Sequence, residues 1–292
     1  MWVAAVALSM LTALPLTLVV RDSVATQLGS SLRAEAVAGG VDYEWWQEFA
    51  DQARGVERTF TPVIIGFAAS LDAWSRLLDA SPLPAPVAAA LAIYLGGWIV
   101  LSGGVIERYS RRRPLHAVGF GSACGRTAGR LLRLALAAGM AYWILFTLVH
   151  SWLFDTWYVR LTRDVDAEST TAAWRLSCYL VFGALVAAVV TVVDYAKVRI
   201  VVEDRRSAVM ALVAALRFIA RHPSQVAGLW VLNGLALLVV MAVWAIIAPG
   251  VGDAGAGLWV RVLGTQLYLA VRIAIRLAAL SSATALFQPS SR

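Results

Sequence analysis

Six apolar runs govern what this chain can fold into: Trp2 to Val20, Pro86 to Ile106, Leu134 to Phe154, Leu176 to Val193, Val226 to Ala248 and Leu258 to Leu280. A helix needs roughly 20 mostly apolar residues to cross a hydrocarbon core of about 30 Å. The runs meet or approach that length, the fourth being the shortest, and none alternates apolar with polar residues as a barrel strand must. With 60% of its residues apolar and 15% charged, the 292-residue chain also lacks the polar surface of a soluble domain. The expected fold is all-α: a polytopic membrane helix bundle of six spans with interfacial amphipathic helices, forming one integral membrane domain over 1–292.

The first run shares features with a secretory signal, and Ala36 to Ala38 with a cleavage site. The lack of a basic segment ahead of it and its length favour a retained span. The two cysteines, Cys124 and Cys178, have neither metal-type spacing nor a disulfide framework, so packing is the expected role of each.

Charge sets the expected orientation. The connection Glu107 to Arg130 has six arginines against one acid, and Asp194 to Gln225 has six basic residues against three acids. Arg21 to Ala85 has five arginines against nine acids, and Arg160 to Arg175 is close to balanced. Short loops rich in lysine and arginine stay in the cytoplasm, so the first two belong inside, the others outside, and both termini are expected in the cytoplasm. Trp152, Trp157, Tyr158, Trp174, Trp244 and Trp259 fall near the outer span ends, where amphipathic rings favour the headgroup layer. The net charge of +7 is then mostly a cytoplasmic-face charge, suited to anionic lipid; nothing in the sequence supplies a nucleic-acid module.

Two amphipathic patterns fill the outer elaboration over 21–85. Trp45, Trp46, Phe49, Ala53, Val56 and Phe60 share one helical face, as do Ile64, Phe67, Ala68, Leu71, Trp74 and Leu78. Two helices along the outer surface, or capping the bundle, are expected. In the inner segment 194–225, Val209, Leu212, Val213, Leu216, Ile219 and Ala220 repeat at helical spacing beside Arg206, Arg217 and Arg221, and Pro223 ends the pattern. This reads as a cytoplasmic interfacial helix whose arginines face phosphates, with a helix docking a protein partner as the alternative. Glu107 with Tyr109 and Asp194 with Tyr195 open the two inner connections alike, a hint of a loose repeat of span, surface segment and span.

The last run carries Arg261, Arg272 and Arg276, with Thr265 and Tyr268 on the same side. Arginine inside a membrane is costly and marks either a structural ion pair or a site for an anionic ligand or lipid headgroup. Asp194, Glu107 and Asn233 are the candidate partners. "GFGSACGRTAGR" lacks the spacing, the lysine and the preceding strand of a phosphate loop; Gly121, Gly125 and Gly129 instead suggest a smooth ridge for close helix packing. His116, His150 and His222 are scattered, and no residue pattern calls for a metal, a cofactor or a catalytic residue.

"DYAKVRIVVEDRRS", "RHP" and "ALFQ" resemble a group of uncharacterised bacterial six-span inner-membrane proteins. More loosely, the layout resembles membrane domains that accompany glycerophosphodiester phosphodiesterases. The first resemblance implies the fold and membrane but no activity, and the second implies architecture only. The leading functional expectation is a non-catalytic membrane component working with protein or lipid partners, or as a homo-oligomer, in envelope organisation or transport. A permease with a pathway near Arg272 and Arg276 comes second and an intramembrane lipid enzyme third.

Overall fold

The computed structural model describes residues 1–40, 42–64, 67–111, 116–247 and 256–290. Among them 88% is helical and no strand occurs. The helices are α1 (Trp2–Ser30), α2 (Ala34–Gly39), α3 (Tyr43–Gln52), α4 (Phe67–Leu78), α5 (Ala85–Arg111), α6 (Ala117–Thr162), α7 (Glu168–Val202), α8 (Ala208–Arg221), α9 (Pro223–Ile247) and α10 (Ala256–Ser290). Six of them, α1, α5, α6, α7, α9 and α10, are long and apolar enough to cross a membrane, which makes this an integral membrane protein.

Several helices outrun the apolar runs that nucleate them. The 46 residues of α6 correspond to about 69 Å at 1.5 Å per residue, roughly twice the hydrocarbon thickness. Its basic first turns, read as a separate surface segment, are continuous with the span. The hinted repeat therefore fails: the second inner connection breaks at Glu203 to Ser207 and starts a new helix, whereas α6 is unbroken from Ala117. Two stretches of α6, Leu145–Val149 and Trp152–Tyr158, are wound as π-helix.

The chain divides into two compact units. One comprises Met1–Trp74, Pro82–Trp98 and Leu232–Ala278. Here α1 runs past its apolar run, and Val24 and Leu28 on that extension pack against Trp45, Phe49 and Ala53. The first outer pattern is thus real in its face, but α3 stops at Gln52 and a 3-10 turn, Gly55–Thr59, continues it. Extended backbone at Ala53 and a left-handed Gly55 (φ 56°) make the break. Hydrogen bonds from Ser23 to Glu57 and from Gln27 to Gln52 (3.0 Å) fasten this cap to α1. By contrast α4 leaves Leu71 and Trp74 exposed, as a helix resting on a membrane surface does.

The other unit comprises Ser75–Ser81, Ile99–Val231 and Ala279–Arg292. At its basic end α8 packs against α6, α7 and α10, while α5 packs against α6 and α10, and this is where the fully buried side chains concentrate: Val105, Ile106, Leu131, Val198, Ile200, Ala211, Ala215 and Phe287. Close approach of α5 and α6 depends on Gly103 and Gly104. A Cβ on Gly103 would run into Thr127 and Leu131, and one on Gly104 would come within 2.5 Å of Cys124 Sγ and 2.8 Å of Phe120. The expected ridge of Gly121, Gly125 and Gly129 instead faces open space, because the inward face of α6 is the one bearing Cys124, Thr127 and Leu131.

Candidate functional site

Aromatic rings of α7, α8 and α10 meet at this basic end. Phe218, just before the "RHP" stretch, sits with its ring 5.3 Å from Tyr195 and 5.6 Å from Phe287. The Arg199 guanidinium lies 4.8 Å from the Phe287 ring and 5.8 Å from that of Phe218. Gln288 donates to the Ser110 carbonyl (2.8 Å), which holds the end of α10 against α5. These residues form a packed joint.

The joint consumes nearly all the nearby acids. Glu107, 7% exposed, accepts from Arg126 (2.5 Å) and Arg111 (2.6 Å). Asp194 pairs with Lys197 (2.7 Å), Glu203 with Arg199 and Arg205, and Asp204 with Arg130. The Arg130 hydrogen bond and charge hold the Asp204 carboxyl below the usual carboxylate range. Glu107 and Asp194, expected as partners for the intramembrane arginines, are committed to these cations instead. Arg206, Arg217 and Arg221 are exposed and make no ion pair among the described residues.

Those three arginines flank a helix with two apolar faces. Ser207 caps α8 by accepting from the Met210 amide, and Pro223 opens α9 directly after α8 ends, as its ring requires. Ala211, Ala215 and Phe218 are buried in the joint. At about 100° per residue, Val209, Val213, Leu216 and Ala220 lie on the opposite side within an arc of about 60°, and all four are exposed. Arg217 and Arg221 border that open stripe.

The second candidate lies in the other unit, on α10. Arg276 sits 4.2 Å from the Trp98 ring and donates to the Tyr94 hydroxyl (3.1 Å). Arg272 lies 5.5 Å from the Tyr268 ring, which stacks at 4.8 Å on Trp244. The structure thus brings Arg272, Arg276 and Tyr268 together with three aromatic rings that sequence reading missed; rings one turn apart on α5 (Tyr94, Trp98) were the available signal. Asn233 is half-buried in α9 and engaged in an interaction of its own. The Arg261 side chain lies outside the described residues.

No carboxylate occurs in any of the six apolar runs, whose formal charges are Arg261, Arg272 and Arg276 alone. Two like charges one helical turn apart on α10 repel one another. Ring contacts worth about 0.5–2 kcal/mol each offset part of this but neutralise nothing.

His150 is tied down. Its Nε2 lies 2.9 Å from the Leu78 carbonyl, which only accepts, so Nε2 carries the proton. Its ring stacks on Phe154 at 4.5 Å. Beside it Asp79 accepts from Tyr179 and from Ser75 (2.9 Å). The Tyr179 hydrogen bond, joined by Ser75 and the Arg175 charge, holds the Asp79 carboxyl below its ordinary range. Among the described residues no three His, Cys, Asp or Glu side chains converge as metal ligands. Comparison with family models, curated proteins and solved structures finds no match to the chain.

Proposed function

We propose that this protein is a non-catalytic component of a bacterial inner membrane, with both termini in the cytoplasm, that engages anionic lipid through α8. The carrying observation is the two-sidedness of that helix: Ala211, Ala215 and Phe218 are buried in the protein while Val209, Val213, Leu216 and Ala220 stay open beside arginines that make no ion pair among the described residues. Such a helix lies in the plane of the inner leaflet, stripe among acyl chains and Arg206, Arg217 and Arg221 at the phosphates. At about 1 kcal/mol per basic residue near an anionic surface, the three supply about 3 kcal/mol, roughly a hundredfold in lipid preference.

The test is native mass spectrometry of protein from mild detergent, loaded with phosphatidylglycerol, for the wild type and for Arg206→Glu/Arg217→Glu/Arg221→Glu. Retained phosphatidylglycerol falls sharply in the triple variant if the reading is right. Equal retention sinks it, and a stoichiometric protein lost with the arginines makes α8 a docking helix instead. A permease is the second reading, favoured by the acid-free pair Arg272 and Arg276.

A further inference from the structure

Among the described residues no carboxylate pairs with Arg272 or Arg276, and the six apolar runs of a second copy hold no acid that could do so. Each guanidinium has five N–H donors. Among the described residues Arg276 spends one on Tyr94, and Arg272 makes only its ring contact with Tyr268. Arg272 is exposed on the side of α10, and Arg276 is half-buried between it and the Trp98 ring. Rings fix the direction of both forks without satisfying them. Two forks one turn apart, with most donors unused, match a group that carries several acceptor oxygens around one centre and at least one negative charge. A lone carboxylate has oxygens for a single fork; a tetrahedral oxyanion has enough for two.

We propose that Arg272 and Arg276 together bind a phosphoryl group, carried by a phosphate-bearing amphiphile or free in solution, with Tyr94, Trp98, Tyr268 and Trp244 orienting the two cations. This stands apart from the lipid contact of α8, which involves none of these residues and lies in the other unit.

The experiment uses the full chain in dodecyl maltoside, a phosphate-free detergent, and follows intrinsic tryptophan fluorescence, to which Trp98 and Trp244 contribute. Short-chain phosphatidic acid and inorganic phosphate are titrated separately, with inorganic sulfate as a second oxyanion. The wild type is expected to bind a phosphoryl probe saturably. Arg272→Gln and Arg276→Gln each weaken it at least tenfold, the double variant abolishes it, and Arg272→Lys, which keeps the charge but loses the fork, binds between wild type and Arg272→Gln. Saturation by phosphatidic acid alone assigns an amphiphile; equal saturation by inorganic phosphate assigns a free anion. The Arg206→Glu/Arg217→Glu/Arg221→Glu variant should bind as the wild type does, so failure at α8 is distinguishable from failure here. If neither phosphoryl probe saturates, if sulfate binds as tightly as both, or if a double variant with wild-type melting behaviour binds unchanged, the proposal is overturned. Should the glutamine variants melt early, the lysine variant carries the test: Arg272→Lys, melting as the wild type does, is expected to bind more weakly than the wild type, and unchanged binding by it overturns the proposal.

Discussion

Phe218→Ala and Leu216→Ala, two residues apart on α8, should behave oppositely in detergent and in lipid. Phe218 is 5% exposed and its ring has Tyr195, Phe287 and His222 within 4.7–5.6 Å, whereas Leu216 is 52% exposed. Truncating a buried phenylalanine costs about 3–5 kcal/mol, and the aromatic contacts put this site in the upper half, about 4 kcal/mol. A chain of this size loses roughly 2–4 °C in Tm per kcal/mol, so the melt followed by tryptophan fluorescence should fall by about 10 °C. Leu216→Ala, made on the open stripe, should change the detergent melt by less than about 0.5 kcal/mol, a shift of a degree or two. In vesicles of phosphatidylglycerol the order reverses for a second readout, tryptic cleavage at Arg217 and Arg221. There Leu216→Ala, which removes membrane contact, should expose these sites while the joint beneath stays folded. If Leu216→Ala lowers the detergent melt as far as Phe218→Ala does, the two faces of α8 have been assigned wrongly and the in-plane reading fails with them.

Gly103→Ala should destabilise by about 1–3 kcal/mol through overpacking against Thr127 and Leu131. Gly125→Ala, facing open space on α6, should be neutral or gain up to about 1 kcal/mol in helix propensity, and paired melts check both. Glu107→Gln leaves Arg126 and Arg111 without their shared carboxylate and should cost about 2–3 kcal/mol in the same melts. The Asp79 carboxyl is held below its ordinary range by Tyr179, so its contribution is fully present above about pH 4 and disappears as pH falls through the lower folded value. A spin label at Ser81→Cys should therefore be immobile at pH 6 and loosen below pH 4, and Asp79→Asn should be loose at both; a label indifferent to both changes would refute a structural role for the hydrogen bond between Tyr179 and Asp79.

How much of this was legible beforehand differed by element. The six spans were readable because crossing a bilayer demands about 20 apolar residues whatever the neighbours do. The α8 pattern was visible, but it contains two apolar faces, and periodicity cannot tell which one meets protein. The glycine ridge at Gly121, Gly125 and Gly129 was a natural inference from spacing and proved to be the outward side. Gly103 and Gly104, adjacent in sequence, leave no spacing signal although they set the helix approach. The first outer helix was right in its buried face and wrong in its continuity, because the break at Ala53 is a backbone event.

The sequence by itself determined the solvent: its apolar runs, their lengths and the acid-free arginines of the last one follow from composition and order along the chain. The tertiary structure decided the partners. It gave Glu107 to Arg111 and Arg126 and Asp194 to Lys197, and set Trp98 and Tyr94 against Arg276. The physical reason is range. Hydrophobic transfer is set residue by residue and can be read locally, whereas pairing of charges and rings requires groups far apart in sequence to come within about 4–6 Å, which only helix packing arranges.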